Sequence, residues 1–267
     1  MALKTRIIPI LQWDGVQAVK SVQFRRPPRP VGAMMQHVMN MQRRDIDELI
    51  ILDINASRER REPAYSKVEE YASQLYCPLT IGGGITKLEH IKNLLNSGAD
   101  KVAIKSSWKL IREANQKFGA QCIVGAIDCD APRGCSHLCT SGVDLVDAAP
   151  GEILLTSISQ DGTRKGYNLR MLREFREIVR CPIIINGGCG DELHMLEAIQ
   201  EGADAVAASS VFLFTGVTPK SCAKFLHSKG VNVRLDEGKF VSDIDRLRQE
   251  WEASKKNDRD NSAKKKG

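Results

Sequence analysis

Short apolar runs alternate along the chain with longer stretches whose apolar residues recur at helical spacing. The runs are Ile7–Leu11, Leu49–Ile54, Leu79–Ile81, Lys101–Ile104, Cys122–Asp128, Ile153–Ser157, Ile183–Ile185 and Ala205–Ala208. Helical spacing covers Met34–Gln42, Lys67–Leu75, Leu88–Leu95, Leu169–Val179, Leu193–Ile199 and Pro219–His227. Strands that are apolar throughout are buried on both faces, as parallel strands covered by helices are. Eight strands in alternation with helices predict an α/β fold, a (β/α)8 TIM barrel.

The pattern repeats. At an offset of 104 positions, Glu48–Ile54 aligns with Glu152–Ile158 and Cys77–Gly84 with Cys181–Gly188, and Ser106 falls on Ser210. No gap is needed between Glu48 and Ser106, so the barrel is read as two duplicated (β/α)4 halves. The halves lose step once. Gln12 to Glu48 spans 36 positions, whereas Asp128 to Glu152 spans 24. The deficit falls where helix 5 should lie, so that helix is expected to be shortened or absent. At most one turn is expected around Val143–Ala148. Strand surface left bare there needs cover from another segment or a partner.

Composition adds limits. At 267 residues with 42% hydrophobic content, the chain suits one closed barrel, residues 1–235, followed by a charged extension, 236–267. Within that extension Val241–Ala253 is predicted helical and Asn257–Gly267 disordered. The net charge of +6 is concentrated in Lys255–Gly267, with five Lys and one Arg against two Asp. The barrel is near charge balance, so no nucleic-acid footprint is read. No signal-like apolar segment and no run of 18 apolar residues occurs, which predicts no membrane partner and a cytoplasmic protein with reduced thiols. Cys135 and Cys139, with His137 between and Cys129 nearby, lack the second paired motif of a zinc site, so no metal and no cofactor are expected.

Chemistry in such a barrel belongs where strands end. Gly82-Gly83-Gly84 follows the third strand and Gly187-Gly188-Cys189-Gly190 the seventh. Lys105-Ser106-Ser107 follows the fourth and Ser209-Ser210 the eighth. Glycine admits backbone N–H groups close to a phosphate, and serine adds a hydroxyl donor. Two matched turns imply a ligand phosphorylated at both ends, with Gly83, Gly84, Ser106, Gly187, Gly188, Ser209 and Ser210 as candidate phosphate-binding residues.

These residues carry a family resemblance. From about Lys4 to Leu235 the chain resembles the cyclase subunit of imidazole glycerol phosphate synthase and the related phosphoribosyl isomerase. The matching motifs include Arg6-Ile7-Ile8-Pro9, Asp47-Glu48-Leu49, Gly82-Gly83-Gly84-Ile85, Ala126-Ile127-Asp128, Asp161-Gly162-Thr163 and Gly230-Val231-Asn232-Val233-Arg234. The last motif but one, with Gly151–Ser157, resembles the cyclase more than the isomerase. The resemblance implies a glutaminase partner on the barrel's N-terminal face. Ammonia from it passes a charged gate, here Arg6, Glu48, Lys101 and Glu152, to a bis-phosphorylated ribonucleotide. The products implied are imidazole glycerol phosphate and aminoimidazole carboxamide ribotide, in histidine biosynthesis. The resemblance also implies a basic residue in the first loop, Lys20, and two catalytic carboxylates, one of which is Asp128.

Three departures stand out. Gln12 occupies the strand-one position of the second catalytic Asp, and a carboxamide cannot exchange a proton near neutral pH. Asp14 lies on the same strand face but beyond the strand end, so it substitutes only if the loop bends back. Lys105 stands where the family usually has Asn, and the segment after Asp128 is short. The readings are a cyclase, an ammonia conduit for a separate sugar amidotransferase in surface-sugar modification, and a non-catalytic copy.

Overall fold

The computed structural model describes residues 3–105, 107–130, 134–135 and 146–235. In chain order, β1 (Arg6–Trp13) is followed by a hairpin, β2 (Ala18–Lys20) and β3 (Arg29–Gly32), and by α1 (Met34–Arg43). Next come β4 (Leu49–Asp53), α2 (Ala56–Glu59), α3 (Tyr65–Ala72), β5 (Leu79–Gly82), α4 (Leu88–Asn96), β6 (Lys101–Ile104) and α5 (Trp108–Phe118). The second half has β7 (Ile123–Asp130), β8 (Gly134–Cys135), β9 (Glu152–Ser157), α6 (Leu169–Ile178), β10 (Ile183–Asn186) and α7 (Glu192–Gln200). It ends with β11 (Ala205–Ala208), α8 (Ser210–Phe214) and α9 (Pro219–Ser228).

Strands β1, β4, β5, β6, β7, β9, β10 and β11 are paired in parallel in that order, and β11 returns to β1 with Arg6 opposite Ala205. The sheet is closed, so the (β/α)8 barrel is as the sequence predicts. Alternation sorts each strand between two cores. Ile8, Ile10, Ile50, Val124, Leu154, Ile184, Ala205 and Ala207 pack together inside the barrel. Ile7, Leu11, Leu49, Ile51, Ile123, Ile127, Ile153 and Ile185 join the outer core against the helices.

The duplication is visible in hydrogen bonds as well as in shape. Asp100 Oδ2 accepts the Leu79 amide at 2.8 Å, and Asp204 Oδ2 accepts the Ile183 amide at 2.8 Å, 104 positions on. Each carboxylate satisfies the first donor of a strand that would otherwise lack one.

Not anticipated were the β2–β3 hairpin, α2, α5, α8 and also β8, which pairs antiparallel with β7 in the shortened stretch. In α5 the buried residues Trp108, Leu110, Ile111 and Ala114 form a narrow stripe in a mostly polar sequence, and Ser107 Oγ caps it by accepting the Leu110 amide at 3.3 Å. Of the shortened stretch, residues 146–148 are helical, and its middle, with Cys139 and His137, lies outside the described residues. The outer face of β7 is nevertheless covered. Ile123 and Ile127 are fully buried, and a Cβ on Gly125 would stand 3.3 Å from Pro150 and 3.4 Å from Trp108. Asn115 holds that cover down by donating to the Ala148 and Ala149 carbonyls at 2.6 and 2.8 Å.

The expectation of reduced thiols fails at Cys129, which is disulfide-bonded, whereas Cys77, Cys122, Cys181, Cys189 and Cys222 are free. Among the described residues, no helix is long and apolar enough to cross a membrane. The extension 236–267, with its predicted helix, lies outside the described residues.

Candidate functional site

Because every inward side chain of a strand lies two residues from the next, the barrel axis is a stack of layers. The lowest layer is charged. Arg6 donates to Glu48 at 2.7 Å and pairs with Glu152 at 2.8 Å. Lys101 closes the ring, 2.9 Å from Glu48 and 3.2 Å from Glu152. All four residues predicted for the gate therefore meet, each at or just before the start of its strand. Glu48 is buried deepest and also accepts the Thr80 hydroxyl at 2.7 Å. Burial alone would lower the Arg6 pKa, but the charges of Glu152 and Glu48 outweigh it and raise it above its ordinary value.

Above the ring lies the apolar inner core, and above that the barrel opens into a cavity of about 520 Å³. Ile10, Leu52, Ala103, Ala126 and Leu154 belong to its apolar lining, as do Phe24, Ile54 and Ile85. Gln12, Lys20, Gly83, Gly84, Lys105, Asp128, Thr156, Asp161, Asn186 and Ser209 also line it. Of the predicted phosphate-binding residues, Gly187, Gly188 and Ser210 are not in that lining, and Ser106 lies outside the described residues.

The glycine turns are dictated first by packing. A Cβ on Gly83 would come within 2.3 Å of the Asp53 carbonyl oxygen, and one on Gly187 within 2.6 Å of that of Ser157. Gly84 and Gly188 have φ of 71° and 109°, a region that favours glycine. The Gly84 amide donates to Ser57 Oγ at 3.3 Å. The Ser209 hydroxyl is different: it is buried at the cavity wall with no hydrogen-bond partner among the described residues. A buried hydroxyl without a protein partner beside a cavity is open to hydrogen bonding by water or by a ligand.

At the rim, Asp128 Oδ2 lies 2.5 Å from Lys105 Nζ. Gln12 is buried, and its Oε1 accepts both the amide of Ser21 at 3.0 Å and its hydroxyl at 3.2 Å. Asp14 does not take over the missing carboxylate. Its Oδ1 accepts the amides of Val16 and Gln17 at 2.9 and 2.8 Å and shapes the β1–β2 turn outside the cavity lining. Lys20 is buried against Asp161, 2.9 and 3.1 Å from its two oxygens, and the Gln23 amide donates to the Asp161 carbonyl at 2.8 Å. The first loop is thus fastened across the mouth to the Asp161-Gly162-Thr163 motif.

Sequence reasoning did not single out Asn186, whose Nδ2 donates to Thr156 Oγ1 at 3.1 Å within the cavity. Its position at the end of its strand, as with Gln12 and Asp128, is the signal that marks it. Cys189, next to the seventh-strand turn, is no nucleophile: burial pushes its thiol up to about 12. Among the described residues there is no cluster of His, Cys, Asp and Glu suited to a metal ion.

A family model described as histidine biosynthesis protein matches residues 6–218, which includes all eight barrel strands, the ring and the mouth. With that match and the closed barrel together, the chain belongs to the histidine biosynthesis protein family, a family of barrel enzymes that act as isomerases or cyclases.

Proposed function

We propose that this protein is the ammonia-using cyclase subunit of a glutamine amidotransferase of the imidazole glycerol phosphate synthase kind. The observation that carries this reading is the closed ring of Arg6, Glu48, Lys101 and Glu152 beneath the mouth cavity on the same barrel axis. In this reading a glutaminase docks against the N-terminal face, and the ring admits ammonia when one ion pair opens. A substrate phosphorylated at both ends spans the mouth, with one end at Gly83, Gly84 and Lys105 and the other at Ser209 and the adjoining Gly187-Gly188 turn. Its first phosphate draws Lys105 away from Asp128, which leaves that carboxylate to move protons at the reacting carbon. Gln12 orients substrate by hydrogen bonding, and Lys20 exchanges Asp161 for a substrate oxygen.

The test uses the purified chain, the bis-phosphorylated ribonucleotide and an ammonium salt at pH 8.5 or so, with product release followed by absorbance. Formation of imidazole glycerol phosphate supports the reading. Its absence, together with stimulation of a co-purified glutaminase, favours the second reading, an ammonia conduit for a separate sugar amidotransferase. A specific observation favours that alternative: Gln12 is tied to Ser21 and Asp128 is paired with Lys105, so among the described residues these two positions offer no free acid–base pair.

A further inference from the structure

Behind each glycine turn stands a histidine, and the two obey the same offset as the turns. Gly84, Thr86 and His90 fall on Gly188, Gly190 and His194. His90 lies in the first turn of α4 and His194 in the first turn of α7. In the first copy the Thr86 amide approaches His90 Nδ1 at 3.4 Å, and the same nitrogen lies 3.1 Å from the Gly84 carbonyl oxygen. In the second copy the Gly190 amide donates to His194 Nδ1 at 3.2 Å. The bonding atom is Nδ1 in both halves; it meets main-chain groups of the turn or of the link from turn to helix, and in the second copy Asp191 Oδ1 also lies 3.3 Å from it.

The surroundings show that each ring is held in place. His90 is buried, with Nε2 3.4 Å from Glu62 Oε1. The residue that matches Glu62 in the second half is Gly166, where a Cβ would stand 3.2 Å from His194 Cδ2, so that ring packs directly on the backbone. Gly166 in turn donates its amide to the Gly188 carbonyl at 2.9 Å. A phosphate cradle made of backbone works only if its amides are already aimed, and the glycines that permit the turn cannot themselves hold it.

We propose that His90 and His194 are positioning residues for the two phosphate subsites, each fixing its turn through Nδ1. The inference rests on the phosphate reading given above. Asparagine carries a polar atom at the place of Nδ1 and presents there either an acceptor or a donor. Leucine fills similar space without one.

The experiment titrates inorganic phosphate into the wild-type chain and into His90→Asn, His90→Leu, His194→Asn and His194→Leu, with stoichiometry and affinity read by 31P NMR. Thermal melting of each variant is measured alongside. The wild type is expected to bind two phosphates. The asparagine variants should stay within about twofold of it, and each leucine variant should weaken one site by about tenfold, ~1.4 kcal/mol, with the other site unchanged. His194 is partly exposed, so its leucine variant tests the idea even if His90→Leu does not fold. Leucine variants that bind both phosphates like the wild type overturn the positioning role alone. Asparagine variants as weak as leucine overturn the Nδ1 assignment. A wild type that binds no phosphate overturns the phosphate reading and this inference with it.

Discussion

Replacing Glu48 by glutamine tests whether the basal ring is held as one unit. The Glu48 side chain is 1% exposed and accepts from Arg6 at 2.7 Å, Lys101 at 2.9 Å and Thr80 at 2.7 Å. Glutamine keeps the volume but removes the charge that faces two cations. Loss of one partner from a buried ion pair costs about 3–5 kcal/mol. Arg6 and Lys101 retain 24% and 16% exposure and both keep Glu152, so water and the second carboxylate offset part of it. About 2–3 kcal/mol remains after that discount. Glu152 is 16% exposed and engages the same two cations. Its glutamine variant should therefore lose less, about 1–2 kcal/mol. At roughly 2–4 °C per kcal/mol for a chain of this size, Glu48→Gln lowers the Tm by about 4–12 °C. Thermal and urea unfolding followed by circular dichroism measure both variants. A Glu48→Gln protein within about 0.5 kcal/mol of wild type, or one more stable than Glu152→Gln, would refute the reasoning.

Lys20→Met strands Asp161 in a buried site and should cost about 3–5 kcal/mol at neutral pH, most of it recovered by adding Asp161→Asn; urea titration of the three proteins checks the cycle. Asp128→Asn should leave the Tm nearly unchanged, since Lys105 is 55% exposed, while abolishing cyclisation in the ammonium-driven assay. Gln12→Asp should raise that rate by restoring a second carboxylate at the mouth; no gain would implicate the short segment after Asp128 instead. The Cys189 thiol, pushed up to about 12 by burial, stays protonated at pH 8, and Cys222 is raised further for the same reason. Iodoacetamide should therefore leave both unlabelled in the native protein, as judged by mass spectrometry, until denaturant exposes them.

The duplicated pattern made the barrel legible in the sequence because both-sided burial demands unbroken apolar strands, and such runs stand out. The charged ring at the floor came from the family resemblance, and the repeat supported it. A charge set directly before a buried strand, and repeated at Glu48 and Glu152, has few places to go except the barrel floor. The helix Trp108–Phe118 was not anticipated, although Trp108, Leu110, Ile111 and Ala114 recur at helical spacing and mark it. Nor was the hairpin Ala18–Lys20 with Arg29–Gly32, whose pairing depends on how the first loop folds back over the mouth.

At the site the division is sharper. Residue identity alone established that Gln12 cannot exchange a proton and that Asp128 can. Only the folded chain decided that Gln12 is bound to Ser21, that Asp14 shapes a turn and that Lys105 reaches Asp128. Only it decided that Lys20 is fastened to Asp161, 141 positions away. Periodicity reports which face of an element is buried, since that depends on neighbours a few residues apart. Which polar groups meet across a barrel mouth depends on contacts between distant loops, and no local pattern encodes those.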